Sequence, residues 1–181
     1  MPRFATAAAS FRERTEDRVL VWPVGEIWVV CVADGRGGVS GAAKAAEAFV
    51  AGVRQAIDTR AVDPTDPLAC VDLLKVLDRE IERDPVAGET TGIVLAVTPT
   101  SVVGASVGDS RAWLFTDVAT ELTELTELTE GQARKPRLGT GGALPKAFTA
   151  PNSGGRVARR AQPAILIGHC FGHDVSRVAF D

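Results

Sequence analysis

Two short hydrophobic runs rich in β-branched residues lie near the start of the chain, and a turn separates them. The runs are Val19–Val24 and Ile27–Ala33, and the segment Pro23-Val24-Gly25-Glu26 interrupts them. Short apolar runs of this kind on either side of a glycine-containing turn are typical of paired antiparallel strands. The pattern therefore predicts a β-hairpin.

Beyond Gly41 the apolar positions recur with the period of a helix, and they face away from charged residues. The apolar face consists of Ala46, Phe49, Val50, Val53 and Ile57. A second helix is predicted to begin at Asp66-Pro67, because aspartate caps helix N-termini and proline is favoured at the first helical position. Its apolar stripe consists of Cys70, Val71, Leu74, Leu77 and Ile81.

After the two predicted helices, the sequence returns to β-type residues. Strands are predicted at Thr91–Thr98, Val102–Val107 and Arg111–Thr116, joined by short turns. Strands, then two helices, then strands with tight turns indicate a layered α+β fold with antiparallel sheets rather than an alternating parallel one.

Residues 121–130 read ELTELTELTE, a repeat of three residues. This period matches neither the helix nor the strand, so we predict no stable element here but a duplication tolerated in a surface loop. Residues 131–155 are rich in glycine and proline, which predicts a loop or a flap.

The composition narrows the class of protein. A chain of 181 residues suits one domain with a proper core, and its net charge of −3 provides no basic surface for nucleic acid or membrane.

The first ten residues do not resemble a signal sequence, and no apolar run approaches the length of a membrane span. Cys31, Cys70 and Cys170 lack the spacing of metal ligands. We therefore expect a cytoplasmic protein with no nucleic-acid or membrane partner.

Two aspartates beside glycines follow predicted strands, which is where rigid backbone can hold a functional carboxylate. They are Asp34, followed by Gly35, and Asp109, preceded by Gly108. Mg²⁺ and Mn²⁺ prefer carboxylate, carbonyl and water oxygens. Asp34 as a bridging carboxylate and the carbonyl of Gly35 would suit such ions.

The segment before the predicted hairpin adds further candidates. Glu16 and Asp17 would supply carboxylates to the same ions. Arg12, four residues before Glu16, could bind a phosphate group with both arms of its guanidinium. The residues thus suggest a site for metal ions and phosphate.

These motifs resemble, in order and spacing from about Arg12 to Arg137, those of the PPM-type metal-dependent protein serine/threonine phosphatases. The matching segments are Arg12 with Glu16-Asp17, Asp34-Gly35-Arg36-Gly37-Gly38, Glu89–Ile93, Val107–Arg111 and Leu128–Glu130. The Val-Gly-Asp-Ser-Arg turn is matched in full, whereas Glu130 departs from the aspartate of the family.

The resemblance implies a β-sandwich of antiparallel sheets flanked by helices, with two Mn²⁺ or Mg²⁺ ions at one end. Asp34 would bridge the ions and Gly35 would offer its carbonyl. Arg12 would hold the phosphate of a phosphoserine or phosphothreonine protein, and Glu16 or Asp17 would hold the water molecule that attacks it. Asp109 would contribute to a third, weaker metal site.

The C-terminal part departs from the family pattern. His169-Cys170-Phe171 stands where the family has an Asp-Gly turn, and the sequence ends at Asp181 before a last Asp-Asn could appear. We therefore predict an incomplete phosphatase-like domain over residues 1–156 and an atypical segment over residues 157–181. Either the protein is a degenerate relative kept for binding a phosphoprotein or a regulator, or the gene is truncated or shifted in frame after about Arg156.

Simpler interpretations of the same residues remain open. Asp34-Gly35 could be a plain turn, and Asp109 could cap its own backbone. His169, Cys170 and His173 look like zinc ligands but lack a fourth partner. The glycine-rich loop over residues 35–41 misses the dinucleotide-binding spacing by one residue, and Lys44 lacks the neighbours that a P-loop requires.

Overall fold

The structure, a computed structural model, describes residues 4–9, 16–36, 41–117, 123–152, 164–169 and 175–180. The elements within these ranges are, in order, β1 (Phe4–Ala9), β2 (Arg18–Val24), β3 (Ile27–Ala33), α1 (Ala42–Asp58), α2 (Pro67–Glu82), β4 (Gly92–Val97), β5 (Ser101–Val107), β6 (Ser110–Asp117), β7 (Thr123–Glu127), β8 (Lys146–Pro151), β9 (Ala164–His169) and β10 (Val175–Phe180). Among the described residues, no helix combines the length and apolar character needed to cross a bilayer.

The strands form two antiparallel sheets. Sheet I has the order β2-β3-β4-β5-β8, and sheet II has the order β1-β10-β9-β6-β7. The predicted hairpin is confirmed, since Val24 pairs with Ile27 and Arg18 pairs with Ala33. The three strands predicted after the helices are confirmed as β4, β5 and β6.

Side chains of sheet I alternate between two hydrophobic cores because successive residues of a strand point to opposite faces. Val29 and Cys31 of β3 pack into a core with helices α1 and α2. Val30 and Val32 pack into a second core with Ala112 and Leu114 of sheet II. The molecule thus has three layers, helices on sheet I on sheet II, which confirms the predicted sandwich of antiparallel sheets flanked by helices.

Both predicted helices are confirmed. Phe49 and Val53 of α1 and Leu74 of α2 are fully buried against sheet I, as the apolar stripes require. Helix α2 begins at Pro67, and the side chain of Asp66 accepts hydrogen bonds from the backbone N–H groups of Leu68 and Ala69 at 2.8 and 3.3 Å.

The prediction of loops is wrong in part for two segments, because each contains a strand. Residues 123–127, inside the ELT repeat, form β7, which pairs with β6 at the edge of sheet II. An edge strand needs backbone pairing with one neighbour only, so a side-chain period of three does not prevent it. Residues 146–151, inside the predicted loop, form β8 at the edge of sheet I, where lysine and proline are tolerated.

Strand β9 lies near the C-terminus and pairs with β6. β9 and β10 both lie in the segment that the sequence sets apart as atypical, and both belong to sheet II. The domain boundary at residue 156 stays a prediction.

The order of the sheet brings several chain turns to the same end of the sandwich. β3 ends at Ala33, β4 begins at Gly92 beside it, and Gly92 pairs with Val107 at the end of β5. Asp34 and the turn at Gly108-Asp109 therefore meet at one end of sheet I, which is where the sequence predicts a functional site.

Candidate metal-binding site

Asp34 directly follows β3, and two threonines just before β4 fix its backbone. The Asp34 N–H donates to Thr91 Oγ1 at 3.0 Å, and the Asp34 carbonyl accepts from the Thr91 N–H at 2.9 Å. The same carbonyl accepts a hydrogen bond from the Thr90 hydroxyl at 3.0 Å. These contacts hold the peptide groups on both sides of the Asp34 side chain in place.

The hydroxyl of Thr91 also connects this turn to sheet II. Its oxygen lies 2.6 Å from Ser110 Oγ at the start of β6, and both residues are buried. Because Thr91 Oγ1 accepts the Asp34 N–H, its own proton is available to Ser110. One buried hydroxyl pair thus ties together the ends of β3, β4 and β6.

Gly35 allows the segment before β2 to approach Asp34. A Cβ atom at this position would lie 2.8 Å from the Glu16 carbonyl oxygen and 2.9 Å from that of Ala42, closer than real Cβ atoms come. The absence of a side chain therefore lets Glu16 and Asp17 pack against the Asp34 turn.

The carboxyl group of Asp34 lies in an environment that disfavours its charge. Burial and, after it, the neighbouring carboxylate of Asp17, which shares a hydrogen bond with Asp34, together raise the pKa of Asp34 to about 7. Asp109 acts in the same direction, whereas the guanidinium of Arg137 lowers this pKa. The structure thus brings Asp17, Asp34 and Asp109 together, as the sequence motifs predict.

Glu16 precedes Asp17 in the chain, and its backbone carbonyl and Cβ lie beside Gly35. Its Oε2 atom is buried and has no hydrogen-bond partner among the described residues. A buried carboxylate oxygen without a partner is costly, and a bound cation would satisfy it.

Asp109 has a different partner. Arg137 donates to Asp109 Oδ1 from Nε at 3.2 Å and from Nη2 at 2.9 Å, and to Oδ2 from Nη2 at 2.8 Å. Glu89 extends the network, with Oε2 lying 4.0 Å from Arg137 Nη1 and Oε1 3.2 Å from Arg36 Nη1. The sequence does not predict a site role for Arg137, since an arginine within a glycine- and proline-rich segment has no distinguishing pattern.

The chemistry of the donors fits a divalent cation at Asp34. Asp17 and Asp34 share a hydrogen bond where two carboxylates would otherwise repel, and Glu16 offers an unpartnered oxygen. Oxygen donors of this kind suit Mg²⁺ or Mn²⁺. Within the described ranges, no three or more His, Cys, Asp or Glu side chains are grouped so that they could hold a metal ion together. The remaining ligands of such an ion would come from backbone carbonyls or water.

Several candidates lie outside the described residues. Arg12, Gly37, Gly38, Cys170 and His173 are among them, and His169 is the last residue of β9. The predicted roles of Arg12 in phosphate binding and of the histidines and cysteine in zinc binding therefore stay predictions.

Comparison with known proteins gives the fold. No protein-family model and no curated protein matches the sequence. Solved structures match over nearly the whole chain. A bacterial serine phosphatase has a TM-score of 0.69 and 15% identity, covering 99% of this chain and 96% of its own.

Two further matches were solved with metal ions. The catalytic domain of the serine/threonine protein phosphatase PstP, in complex with two manganese ions, has a TM-score of 0.65 and 17% identity, covering 99% of this chain and 97% of its own. RsbX in complex with magnesium has a TM-score of 0.64 and 12% identity, and the match covers 99% of this chain and 93% of RsbX. The chain therefore has the fold of the bacterial PPM-type serine/threonine phosphatases, the fold that its sequence motifs imply.

Proposed function

We propose that the chain is a metal-dependent protein serine/threonine phosphatase domain, whose metal site lies at the Asp34 turn. The observation that carries the proposal is the half-buried carboxyl group of Asp34 beside that of Asp17, where burial and the Asp17 carboxylate raise the pKa of Asp34 to about 7. Two carboxyl groups that share a proton in a half-buried turn are poised to exchange that proton for a cation.

Asp34, Asp17 and Glu16 would hold the ion with their carboxylate oxygens, together with the carbonyl of Gly35. Manganese or magnesium is the proposed metal, since PstP was solved with manganese and RsbX with magnesium. When bound, such an ion supplies a nucleophile from water at neutral pH and stabilises charge on the phosphoryl oxygens. His169-Cys170-Phe171 stands where the family has an Asp-Gly turn that holds the second ion, so we propose that the two-metal site is incomplete.

The substrate would be a phosphoserine or phosphothreonine side chain of a protein, and the proposed compartment is the cytoplasm. Arg12 would orient the phosphate through its guanidinium. Hydrolysis then forms a bond between phosphorus and a water oxygen and breaks the bond between phosphorus and the side-chain oxygen. The side-chain oxygen leaves as the hydroxyl after taking up a proton.

The test is hydrolysis of a phosphothreonine peptide with and without Mn²⁺. We compare the unaltered chain with Asp34→Asn and with the matched control Asp72→Asn, whose side chain is 75% exposed on helix α2. We expect Mn²⁺-dependent turnover that Asp72→Asn retains and that Asp34→Asn lowers about 100-fold or more, since the metal contributes several kcal/mol to the transition state. Equal rates for all three chains, with or without Mn²⁺, would contradict the proposal.

A second candidate function is a phosphatase-like module that binds a phosphoprotein or a regulatory protein without hydrolysing it. The ion pair between Arg137 and Asp109 favours this alternative, because it occupies a carboxylate that the resemblance assigns to a metal. For this alternative we expect no turnover, and partner binding that survives Asp34→Ala in a pull-down. Loss of binding in that variant would argue against it.

A further inference from the structure

The loop that follows Arg137 is tied to helix α2 by one buried carboxylate. Asp78 is 2% exposed, and its Oδ1 accepts from the backbone N–H groups of Gly139, Thr140 and Gly141 at 2.8, 3.1 and 3.1 Å. Its Oδ2 accepts from the N–H of Ala143 at 2.9 Å. A loop whose successive N–H groups converge on one carboxylate is an anion-binding turn filled from within the protein.

The conformation of this loop depends on glycine at two positions. Gly139 and Gly141 have φ angles of +89° and +72°, which side chains disfavour. These angles turn the loop N–H groups toward Asp78. The backbone conformation of the loop therefore suits the binding of the Asp78 carboxylate.

Leu138 anchors the loop on the side of the metal site. It is fully buried, its N–H donates to the Thr90 carbonyl at 3.0 Å, and its carbonyl accepts from the Thr90 N–H at 3.2 Å. Thr90 is the residue whose hydroxyl holds the Asp34 carbonyl. The backbone next to Arg137 is thus fixed directly to the turn that carries the proposed metal ligand.

The side chain of Arg137 extends from this fixed backbone, and its guanidinium contacts Asp109. Its side chain is 12% exposed and that of Asp109 is 17% exposed, and three hydrogen bonds connect them. Hydrogen bonds between a guanidinium and a carboxylate are stronger than neutral ones, and partial burial protects the pair from screening. A metal ion that took over these carboxylate lone pairs would displace the guanidinium.

We propose that Arg137, held through its loop by Asp78, is a built-in cation that keeps Asp109 from metal ions and lowers the affinity of the site for a divalent metal. The inference rests on the proposed function in one respect, namely that Asp34 and Asp17 are metal ligands. Arg137 is then a positioning residue that limits how many ions the site takes up.

The test is direct Mn²⁺ binding to the full chain by isothermal titration calorimetry, without substrate. We expect Arg137→Gln to bind Mn²⁺ about tenfold more tightly than the unaltered chain, because a neighbouring charge changes the affinity of a carboxylate for a positive ion by this factor or more. Arg137→Lys retains the positive charge and should show a smaller gain. The double variant Arg137→Gln/Asp109→Asn should lose the gain. Unchanged or weaker binding by Arg137→Gln, or a gain that survives in the double variant, would overturn the proposal.

A measurement on the unaltered chain covers the case in which Arg137→Gln does not fold. The NMR signal of the Arg137 Nε–H group reports its hydrogen bond to Asp109, and Mg²⁺ is diamagnetic. We expect this signal to persist when Mg²⁺ saturates the chain, and its loss at saturation would overturn the proposal.

The outcomes separate this inference from the proposed function. Tight Mn²⁺ binding that is equal in the unaltered chain and in Arg137→Gln would leave the phosphatase proposal standing and overturn the role of Arg137. Binding by Arg137→Gln alone would support the role of Arg137 and contradict metal-dependent activity in the unaltered chain.

Discussion

The carboxyl group of Asp34 is held where ionisation is unfavourable, and a cation bound beside it would offset that cost. Burial and the carboxylate of Asp17 raise its pKa from 3.8 to about 7. The folded chain therefore binds this proton more tightly than the unfolded chain does. Without metal, the stability that this protonated group contributes is lost as the pH rises from about 4 to about 7.

The first prediction concerns this loss of stability with rising pH. In EDTA, Asp34→Asn should gain stability relative to the unaltered chain as the pH rises from 5 to 8, because the amide carries no charge at either pH. The free energy of unfolding in urea, measured at both pH values, tests it. A difference between the two chains that is the same at pH 5 and pH 8 would show that Asp34 titrates normally.

The second prediction concerns the hydroxyl of Thr91. Thr91→Val keeps the shape of the side chain but leaves the Asp34 N–H and the Ser110 hydroxyl without their partner. Leaving buried polar groups unsatisfied costs about 1–3 kcal/mol, so we expect a loss of unfolding free energy in that range. Urea unfolding measures it, with the exposed Thr100→Val as the matched control. A loss no larger than that of Thr100→Val would contradict the bridging role.

At the residue scale, the sequence predicts the acidic part of the site but not what holds it. Motif spacing and turn chemistry single out Asp17, Asp34 and Asp109, and the structure brings them together. Arg137 lies 28 residues from Asp109 along the chain, and only the folded backbone brings the two side chains together. Whether the carboxylates hold a metal stays a prediction.

Among the helices and strands, the sequence predicts those that bury an apolar face. It misses the strands that are held in place mainly by backbone pairing. Helices α1 and α2 and strands β2 to β6 bury apolar faces, and their periods show it. β7 and β8 are edge strands, each with one neighbour in its sheet. Their side chains carry little information on pairing, which depends on the backbone.

The third prediction tests the cap that begins helix α2. Asp66→Ala removes the acceptor for the N–H groups of Leu68 and Ala69, which should cost about 1 kcal/mol of unfolding free energy. Asp72→Ala is the control, because Asp72 is exposed and forms a surface ion pair with Lys75 that contributes little. Thermal or urea unfolding of the two variants gives the comparison. Equal effects would mean that the cap is not what stabilises this helix end.

At the scale of the whole molecule, the three layers explain why one end of the sandwich carries the chemistry. Sheet I is covered by helices on one face and by sheet II on the other, so its side chains pack into the two hydrophobic cores. Polar groups are available where the strands end. The sheet order brings the ends of β3 and β5 and the start of β4 to one place, and it fixes their distances through backbone hydrogen bonds.

If the proposed site is correct, Asp34 and Asp17 together bind a divalent metal ion. Anomalous X-ray scattering at the manganese absorption edge, from crystals of the full chain soaked in Mn²⁺, tests it most directly. We expect an anomalous peak in contact with the carboxylate oxygens of Asp34 and Asp17, and none on Asp109 while Arg137 is present. A fully soaked crystal without a peak at Asp34, or with manganese bound only elsewhere, would contradict the account.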